Sequence, residues 1–328
     1  MPSLTSLSTE TPLLTLSDVV LEGGQQRRLD HISLQIGTGR TAIVGLSGAG
    51  KTSLLNVLAG FEAPTDGRLT LGGQPSNHRL FRYWVPQNGG LWPHICLIDH
   101  LTFVIEQAAD SEIRKKSDEI LGAFDLRHRA NAFPDELSQG ERSRLALARA
   151  LMANPQVLLA DEPLAHVDIV RKPEFWKAVD DWIDRSASSL IFSSHEPEVV
   201  RRHADRVIVM EQGSVIFDGS VTELYDNPPD ERSAVFLGPI NWLTAERLSD
   251  LGIQQQGGDC GIRPERITLS ESHSGQCVVV QNSPSGYFQE TRLQHVTNGF
   301  ELTVIHRGLR VLSPRTRVSI TIDRISDA

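Results

Sequence analysis

The sequence contains only three cysteines, and their placement gives no indication of a bound metal. Cys96, Cys260 and Cys277 lie far apart in the 328 residues and show none of the short spacings of metal ligands. An odd number of scattered cysteines is typical of a reducing compartment, in which thiols remain free. The sequence therefore predicts three free thiols and no disulfide framework.

Long hydrophobic runs are also absent. No apolar stretch approaches the roughly 18 residues that a membrane-spanning helix requires. Residues 1–6 lack the charged region and apolar core that begin a secretory signal. We therefore expect a cytoplasmic protein, and any action at a membrane requires a partner that supplies the membrane-embedded part.

Positive charge is outnumbered by negative charge. The formal net charge is −9 and the isoelectric point is near 5.7, which argues against a broad nucleic-acid-binding surface. Hydrophobic residues make up 39% and charged residues 22% of the chain, as in globular proteins. The length allows two domains at roughly 150 residues each.

A glycine-rich segment with a lysine and two hydroxyl residues follows a run that favours a strand. Gly45, Gly50, Lys51 and Thr52 satisfy the pattern G-x-x-x-x-G-K-[ST] of phosphate-binding loops. Glycines let the backbone fold around an anion, and the helix that follows adds positive potential. The residues expected to line the loop are Gly45, Leu46, Ser47, Gly48, Ala49, Gly50, Lys51, Thr52 and Ser53. The segment predicts a nucleoside triphosphate site; the alternative is a glycine-rich turn with a chance lysine.

Two acidic residues end a short apolar run. Asp161 and Glu162 follow residues 157–160, which have the composition of a buried parallel strand. Beside a phosphate loop, Asp161 and the Thr52 hydroxyl are expected to hold Mg²⁺, and Glu162 to polarise the attacking water. Lys51 is expected to reach the β- and γ-phosphates. Without the loop, two solvated acids would be the simpler interpretation.

Two further polar residues follow predicted strands. His195 comes after the strand at 190–192, where doubly wound sheets place ligands, and could bond the γ-phosphate. Gln87 follows the strand at 81–85 and could reach Mg²⁺ or the attacking water. Taken alone, the histidine could equally be a surface residue and the glutamine merely polar.

A capping pattern precedes a long helical run. In residues 137–141, Ser138 and Glu141 form S-x-x-E, in which the serine caps an early amide and the glutamate reaches back. This structural interpretation is sufficient for the segment when it is considered alone.

The order of predicted elements indicates an α/β domain followed by an all-β domain. Strands and helices alternate up to residue 217, with a helical insert at about 88–135. The polar segment 227–233, which contains two prolines, is the clearest linker. Beyond it, short β-rich runs separated by turns predict a small sandwich or barrel. We therefore predict domains at 1–232 and 233–328.

Together these motifs resemble the ATP-binding subunit of ABC transporters, over roughly residues 13–230. The matching segments are the Walker A loop at 45–52, the Q-loop glutamine Gln87, the signature motif at 137–141, the Walker B strand at 159–162, the D-loop at 165–168 and the switch histidine His195. The resemblance implies a P-loop nucleotide-binding fold with a helical subdomain, and hydrolysis of ATP with Mg²⁺.

The resemblance also implies roles for single residues and partners. Glu162, His195 and Gln87 would be catalytic, while Thr52, Gln87 and Asp161 would hold Mg²⁺. A second copy, paired head to tail, would complete the nucleotide site. That copy would contribute Ser138, Gly140 and Asp168. The helical insert would carry motion from Gln87 to a membrane permease, served by an extracytoplasmic solute-binding protein, with the chain on the inner face of the membrane.

The C-terminal part resembles the small β-barrel regulatory domain of importer ATPases. The resemblance rests on residues 234–242, 261–269 and 316–325. Those ATPases serve uptake of molybdate, sulfate, iron(III), polyamines and sugars, so the chain is expected to be the ATP-hydrolysing subunit of an importer. The alternatives are an exporter or soluble ABC ATPase, a regulatory module with poor catalysis, and a C-terminal dimerisation module that binds no ligand.

Two departures from the family pattern affect the expected site. In the signature, Gln139 replaces a glycine and Glu141 a glutamine, so Gln139 adds a side chain close to where a nucleotide bound by the second copy would lie. The family also stacks adenine on an aromatic residue about 25 positions before the loop, but residues 19–22 contain none. Because stacking contributes about 1 kcal/mol, we expect weaker base selectivity with the chemistry intact.

Overall fold

The computed structural model describes residues 12–24, 26–72, 74–75, 81–105, 109–253, 258–307 and 311–322. The chain separates into two compact units, Met1–Gly219 and Ser220–Ala328. No helix in these described ranges is both long and apolar enough to cross a membrane.

In its described residues, the first unit contains ten strands and six α-helices. The strands are β1 (Leu14–Leu21), β2 (Leu29–Ile36), β3 (Arg40–Val44), β4 (Asp66–Leu71), β5 (Gln74–Pro75), β6 (Arg82–Val85), β7 (Val157–Ala160), β8 (Ser189–Ser193), β9 (Arg206–Glu211) and β10 (Ser214–Ser220). The helices are α1 (Lys51–Ala59), α2 (Leu97–Thr102), α3 (Asp110–Ala123), α4 (Gln139–Ala153), α5 (Lys172–Ser186) and α6 (Pro197–His203). The predicted strand at 29–36 and helix at 197–203 agree with β2 and α6.

A six-stranded sheet with the order β10-β9-β3-β8-β7-β6 carries the site. The pairings of β9, β3, β8, β7 and β6 are all parallel. Every residue of β7 and β8 is buried, as expected for strands covered on both faces. In such a sheet the segments that follow each strand meet at one edge, so distant parts of the sequence converge there.

A second sheet of the first unit is antiparallel, with the order β2-β1-β4-β5. Residues of β2 alternate between buried and exposed from His31 onwards, which is the pattern of a sheet with one solvated face. Its buried face shares one hydrophobic core with α1, to which Leu54, Leu55 and Leu58 contribute. This core fixes the helix that follows the phosphate loop.

The second unit is built around an antiparallel sheet. Its strands are β11 (Asn241–Leu243), β12 (Cys260–Ile262), β13 (Ile267–Glu271), β14 (Cys277–Ser285), β15 (Phe288–His295), β16 (Glu301–His306) and β17 (Arg317–Ile322), and its helices are α7 (Val221–Asp226), α8 (Glu231–Ala234) and α9 (Ala245–Asp250). Five strands pair in the order β13-β17-β14-β15-β16, and β11 pairs with β12. The all-β expectation for this part is confirmed, while closure of the sheet into a barrel stays a prediction.

The boundary between the compact units lies earlier than the predicted domain boundary at 232/233. The compact units divide between Gly219 and Ser220, so α7 and α8 belong to the second unit. The expected linker at 227–233 runs into α8, where the Asp230 carboxylate accepts the backbone N–H of Ser233 at 2.8 Å. A buried arginine, Arg263, holds the segment that precedes the sheet.

Arg263 is 2% exposed and bonds to five backbone carbonyls of the second unit. Its guanidinium donates to the oxygens of Leu224, Tyr225, Ala234, Gly238 and Pro239 at 2.9–3.4 Å. It also lies 4.4 Å from the centroid of the Tyr225 ring. One side chain therefore ties residues 224–239 to the β-module, a function that no local pattern predicted.

We expect Arg263→Met to lower the free energy of unfolding of the second unit by at least about 3 kcal/mol, because several buried carbonyls lose their donor. Scanning calorimetry measures the change. The exposed Arg292, changed to methionine, is the control and should alter stability by less than about 0.5 kcal/mol. Equal and small changes in both variants would show that the Arg263 guanidinium does not hold this segment.

Candidate nucleotide site

Four segments that follow parallel strands form the candidate site. The glycine-rich loop follows β3, Gln87 follows β6, Asp161 and Glu162 follow β7, and His195 follows β8. Because these strands are neighbours in the sheet, residues separated by as many as 150 positions meet at its carboxyl edge.

The loop requires glycine where it passes close to other backbone. A Cβ at Gly45 would lie 2.4 Å from the carbonyl oxygen of Met210, and one at Gly50 would lie 2.7 Å from that of Arg28. Gly50 also has φ +104°, a conformation that other residues rarely adopt. Helix α1 begins directly afterwards and has no acidic residue in its first turn. The positive potential of its N-terminus therefore remains available to an anion.

Lys51 crosses the loop that precedes it. Its ammonium donates to the carbonyl oxygens of Gly45 at 2.9 Å and of Leu46 at 3.1 Å. Both acceptors are neutral, so a phosphate that entered the loop would be a stronger partner for this charge.

Asp161 is 4% exposed and is held by two hydroxyl groups. Thr52 Oγ1 donates to Asp161 Oδ2 at 2.6 Å, and Ser193 Oγ donates to Asp161 Oδ1 at 2.5 Å. Ser193 Oγ also accepts the backbone N–H of Glu162 at 2.8 Å. The structure thus joins Thr52 to Asp161, and adds Ser193, which sequence reasoning missed. The only indication of Ser193 in the sequence was that a small polar residue ends the apolar strand before His195.

Glu162 brings Gln87 and His195 together. Gln87 Nε2 donates to Glu162 Oε2 at 3.2 Å, and His195 Nδ1 lies 3.3 Å from Glu162 Oε1. The Glu162 backbone has φ +47°, an uncommon conformation for a residue with a side chain, and such strain is concentrated at functional sites. The structure therefore places all three predicted catalytic residues in one cluster.

The Q-loop has an anchor that the sequence did not reveal. Arg149 of α4 is 4% exposed and donates to the carbonyl oxygens of Gly89 at 3.0 Å and Gly90 at 2.8 Å. Its guanidinium lies 4.8 Å from the centroid of the Trp92 ring. Burial lowers the pKa of Arg149 below its usual value, while the nearby Tyr83 hydroxyl opposes this shift. The segment after Gln87 is thus fixed to the helix that follows the signature motif.

The signature motif forms the expected capping box. Ser138 Oγ accepts the N–H of Glu141 at 3.2 Å, and Glu141 Oε2 accepts the N–H of Ser138 at 2.8 Å. Burial raises the pKa of Glu141, but the hydrogen bonds from Ser138 and the charge of Arg129 outweigh it and leave that pKa below its ordinary value. This explains the unusual Glu141 as a cap partner, while Ser138 and Gln139 remain exposed.

Gly140 lets the signature helix approach the D-loop of the same chain. A Cβ at Gly140 would lie 2.9 Å from the carbonyl oxygen of His166. Asp168 at the end of the D-loop is exposed, and its carbonyl oxygen accepts the N–H groups of Arg171 and Lys172 at 2.9 Å. The two motifs therefore lie side by side.

Residues 19–22 contain no aromatic side chain that could stack on a base. Leu21 is 3% exposed, so it offers little surface. The Leu21 carbonyl accepts the N–H of Arg28 at 2.8 Å, and Arg28 Nη1 donates to Glu62 at 3.1 Å.

Comparison with known proteins identifies the family. The ABC transporter family model matches residues 29–165. The chain is 34% identical over 325 residues to an Fe(3+) ions import ATP-binding protein, FbpC, of Serratia marcescens, covering 90% of this chain and 93% of that protein. It is 32% identical over 310 residues to a spermidine/putrescine import ATP-binding protein, PotA, of Protochlamydia amoebophila, covering 85% and 79%.

Solved structures match about two thirds of the chain. A dimeric ATP-binding cassette, MJ0796, in a post-hydrolysis state bound to ADP and Pi matches with a TM-score of 0.58 and 25% identity, over 63% of this chain and 98% of that one. CbiO1 from Clostridium perfringens, part of the ABC transporter complex cbiONQ, matches with a TM-score of 0.57 and 26% identity, over 66% and 91%. The chain therefore belongs to the ATP-binding subunits of ABC transporters, and it is the ATP-hydrolysing subunit of an importer.

Proposed function

We propose that Glu162 activates the water that attacks the γ-phosphate, with Gln87 and His195 orienting the reacting groups. The observation that carries this proposal is the contact of both residues with the two Glu162 carboxylate oxygens, at 3.2 and 3.3 Å. The Glu162 side chain is 20% exposed, so a water molecule can reach it while the carboxylate stays held.

Lys51 and the loop amides bind the phosphates in this proposal. The ammonium lies over the loop, and α1 directs its N-terminus at the same place. The proposed phosphate-binding residues are Gly45, Leu46, Ser47, Gly48, Ala49, Gly50, Lys51, Thr52 and Ser53.

Mg²⁺ fits the oxygen atoms next to Lys51. Thr52 Oγ1 and Asp161 Oδ2 lie 2.6 Å apart, and hydroxyl and carboxylate oxygens are the ligands that this ion prefers. When bound, Mg²⁺ supplies positive charge to the phosphates. We assign Thr52 and Asp161 to its coordination, and Gln87 through its amide oxygen. Ser193 holds the second Asp161 oxygen and so keeps the carboxylate in position.

A second copy of the chain completes the nucleotide site. Ser138 and Asp168 are exposed, and the hydrogen bonds described for Ser138 are with Glu141 and Arg142 of its own helix. These groups and Gly140 are therefore available to a nucleotide bound on the partner. The similarity to a dimeric cassette supports this arrangement.

Membrane permease subunits are the proposed partners beyond the dimer, and they place the chain at the inner face of the membrane. A groove of about 300 Å³ lies next to the Q-loop. It is lined by Asn88, Gly90, Leu91, Pro93, Pro134, Asp135 and Arg142. All of these residues except Arg142 belong to the predicted helical insert. Because Gln87 directly precedes this groove, a partner seated there would sense the state of the nucleotide site.

Solute choice belongs to the permease and an extracytoplasmic solute-binding protein. The similar proteins are named for Fe(3+), spermidine/putrescine and sulfate/thiosulfate, which differ in size and in the sign of their charge. One ATPase scaffold accompanies all of them, so its residues do not select the solute.

Co-purification from solubilised membranes of the native host tests the partner proposal. We expect the tagged full-length chain to bring an integral-membrane protein, and the complex to hydrolyse ATP. Recovery of the chain without any integral-membrane protein would refute the importer assembly even if ATP were hydrolysed.

Base selectivity is expected to be weak. Because residues 19–22 provide no aromatic ring for stacking, kcat/KM for ATP and GTP should agree within about tenfold, as expected for the loss of a contact worth about 1 kcal/mol. Steady-state kinetics with both nucleotides measures this. A strict preference for ATP would contradict the proposal and would require another group to recognise the base.

A further inference from the structure

We infer that Lys172 is a positioning residue for His195 and acts through an ion pair with Glu196. Lys172 Nζ lies 2.7 Å from Glu196 Oε1 and 2.9 Å from Oε2. The Lys172 side chain is only 11% exposed, so solvent screens this pair less than an ion pair on the surface. The inference rests on the proposed function, in which His195 orients the reacting groups.

His195 has few constraints of its own. Its side chain is 61% exposed, and its described contact is with Glu162. Its neighbours on both sides are fixed instead. The Ser194 N–H donates to the Ile43 carbonyl of β3 at 3.2 Å, and the Glu196 N–H donates to Ser194 Oγ at 3.0 Å. The position of the imidazole is therefore set by the backbone of residues 194–196, and Lys172 holds the far end of that segment.

Lys172 is also linked to the D-loop, at residues 165–168. Lys172 is the first residue of α5, and its N–H donates to the Asp168 carbonyl oxygen at 2.9 Å. A shift of the D-loop would therefore move Lys172, and with it Glu196. Neither residue of the ion pair contacts Glu162 in the described hydrogen bonds and ion pairs, so their effect on catalysis is indirect.

The same helix provides a matched control. Lys177 and Asp181 form an ion pair of 2.6 Å on α5, with side chains 72% and 52% exposed. Lys177→Met removes the same kind of charge from the same element without any connection to His195. General destabilisation of α5 should affect both variants, whereas loss of positioning should affect only Lys172→Met.

The test compares Lys172→Met, Lys172→Arg, Lys177→Met and the exchanged pair Lys172→Glu/Glu196→Lys in the full-length chain. We expect Lys172→Met to lower kcat for ATP about ten- to a hundredfold, since small misplacements of a catalytic group cost this much. KM for ATP should change by less than about threefold, because a lost transition-state interaction lowers kcat without weakening substrate binding. Lys172→Arg and the exchanged pair should recover most of kcat, and Lys177→Met should match the unmodified chain.

A double-mutant cycle with His195→Ala separates this inference from the proposed function. If Lys172 acts through His195, Lys172→Met should produce no further loss of kcat in the His195→Ala chain. Additive losses, or a kcat unchanged by Lys172→Met, would overturn the inference. If His195→Ala itself left kcat unchanged, the proposed function of His195 would fail instead. If Lys172→Met does not fold, Lys172→Arg and the exchanged pair decide the question instead. A kcat of the exchanged pair far below that of the unmodified chain also overturns the inference.

Discussion

Replacement of Glu162 by glutamine is expected to lower kcat for ATP hydrolysis by about 10²–10⁴-fold, the usual contribution of a general base. Glutamine keeps the shape of the side chain and can still contact Gln87 and His195, but it cannot accept a proton from water. ATP binding should remain, because the phosphate contacts come from Lys51 and the loop. Phosphate release and an independent nucleotide-binding titration measure the two effects.

The control for this experiment is Glu198→Gln. Glu198 lies on α6, where it forms an exposed ion pair with Arg202 at 2.6 Å. Its replacement should leave kcat within about twofold, since exposed ion pairs contribute little. Unchanged hydrolysis by Glu162→Gln would remove Glu162 from the mechanism and leave the water without an assigned base.

Replacement of Lys51 by methionine is expected to weaken ATP binding by about 10- to 150-fold, because a charge-assisted hydrogen bond contributes roughly 1.5–3 kcal/mol. The hydrogen bonds described for the Lys51 ammonium go to the neutral carbonyls of Gly45 and Leu46, so the fold should tolerate the change. Calorimetric titration with ATP in the presence of Mg²⁺ measures the dissociation constant.

Lys177→Met again serves as the control, since Lys177 is exposed and distant in sequence from the loop. An unchanged dissociation constant for Lys51→Met would mean that the phosphates do not lie over the loop. A similar loss with Lys177→Met would point to general charge attraction instead of a specific contact.

The nucleotide loop and the strand-end residues could be predicted from the sequence because each depends on a local pattern. Gly45 to Thr52 form a contiguous motif, and Asp161 and His195 each follow a short apolar run that predicts a buried strand. The parallel sheet then brings the strand ends together, as the order β3-β8-β7-β6 shows. To predict that these strand ends lie together, we needed only the rule that parallel strands place their carboxyl ends at one edge of the sheet.

Long-range polar contacts could not be predicted in the same way. The partners described for the side chains of Ser193, Arg149, Arg263 and Lys172 lie 24 or more positions away in the sequence. Hydrophobic period and turn residues predict elements, but they carry no information about which carbonyl a buried guanidinium will meet. These contacts depend on tertiary packing.

The domain boundary illustrates the same limit. The prolines at 228 and 229 favour a linker, which is a correct statement about local conformation. Arg263, more than 30 positions later, nevertheless binds the carbonyls on both sides of those prolines and joins the segment to the second unit. The boundary at 232/233 stays a prediction, and the buried hydrogen bonds are a feature of this segment that local signals do not predict.

Nucleotide-dependent cross-linking between two copies tests the central claim, a nucleotide site completed in trans, most directly. Ser47→Cys in the loop and Gln139→Cys in the signature motif are combined with Glu162→Gln and with serine at positions 96 and 260. Burial raises the pKa of the remaining Cys277 thiol to about 11, which keeps it unreactive. With ATP, oxidation should yield a covalent dimer, and without nucleotide the chain should remain monomeric on a denaturing gel. Absence of the dimer with ATP, or equal yields without nucleotide, would contradict the composite site.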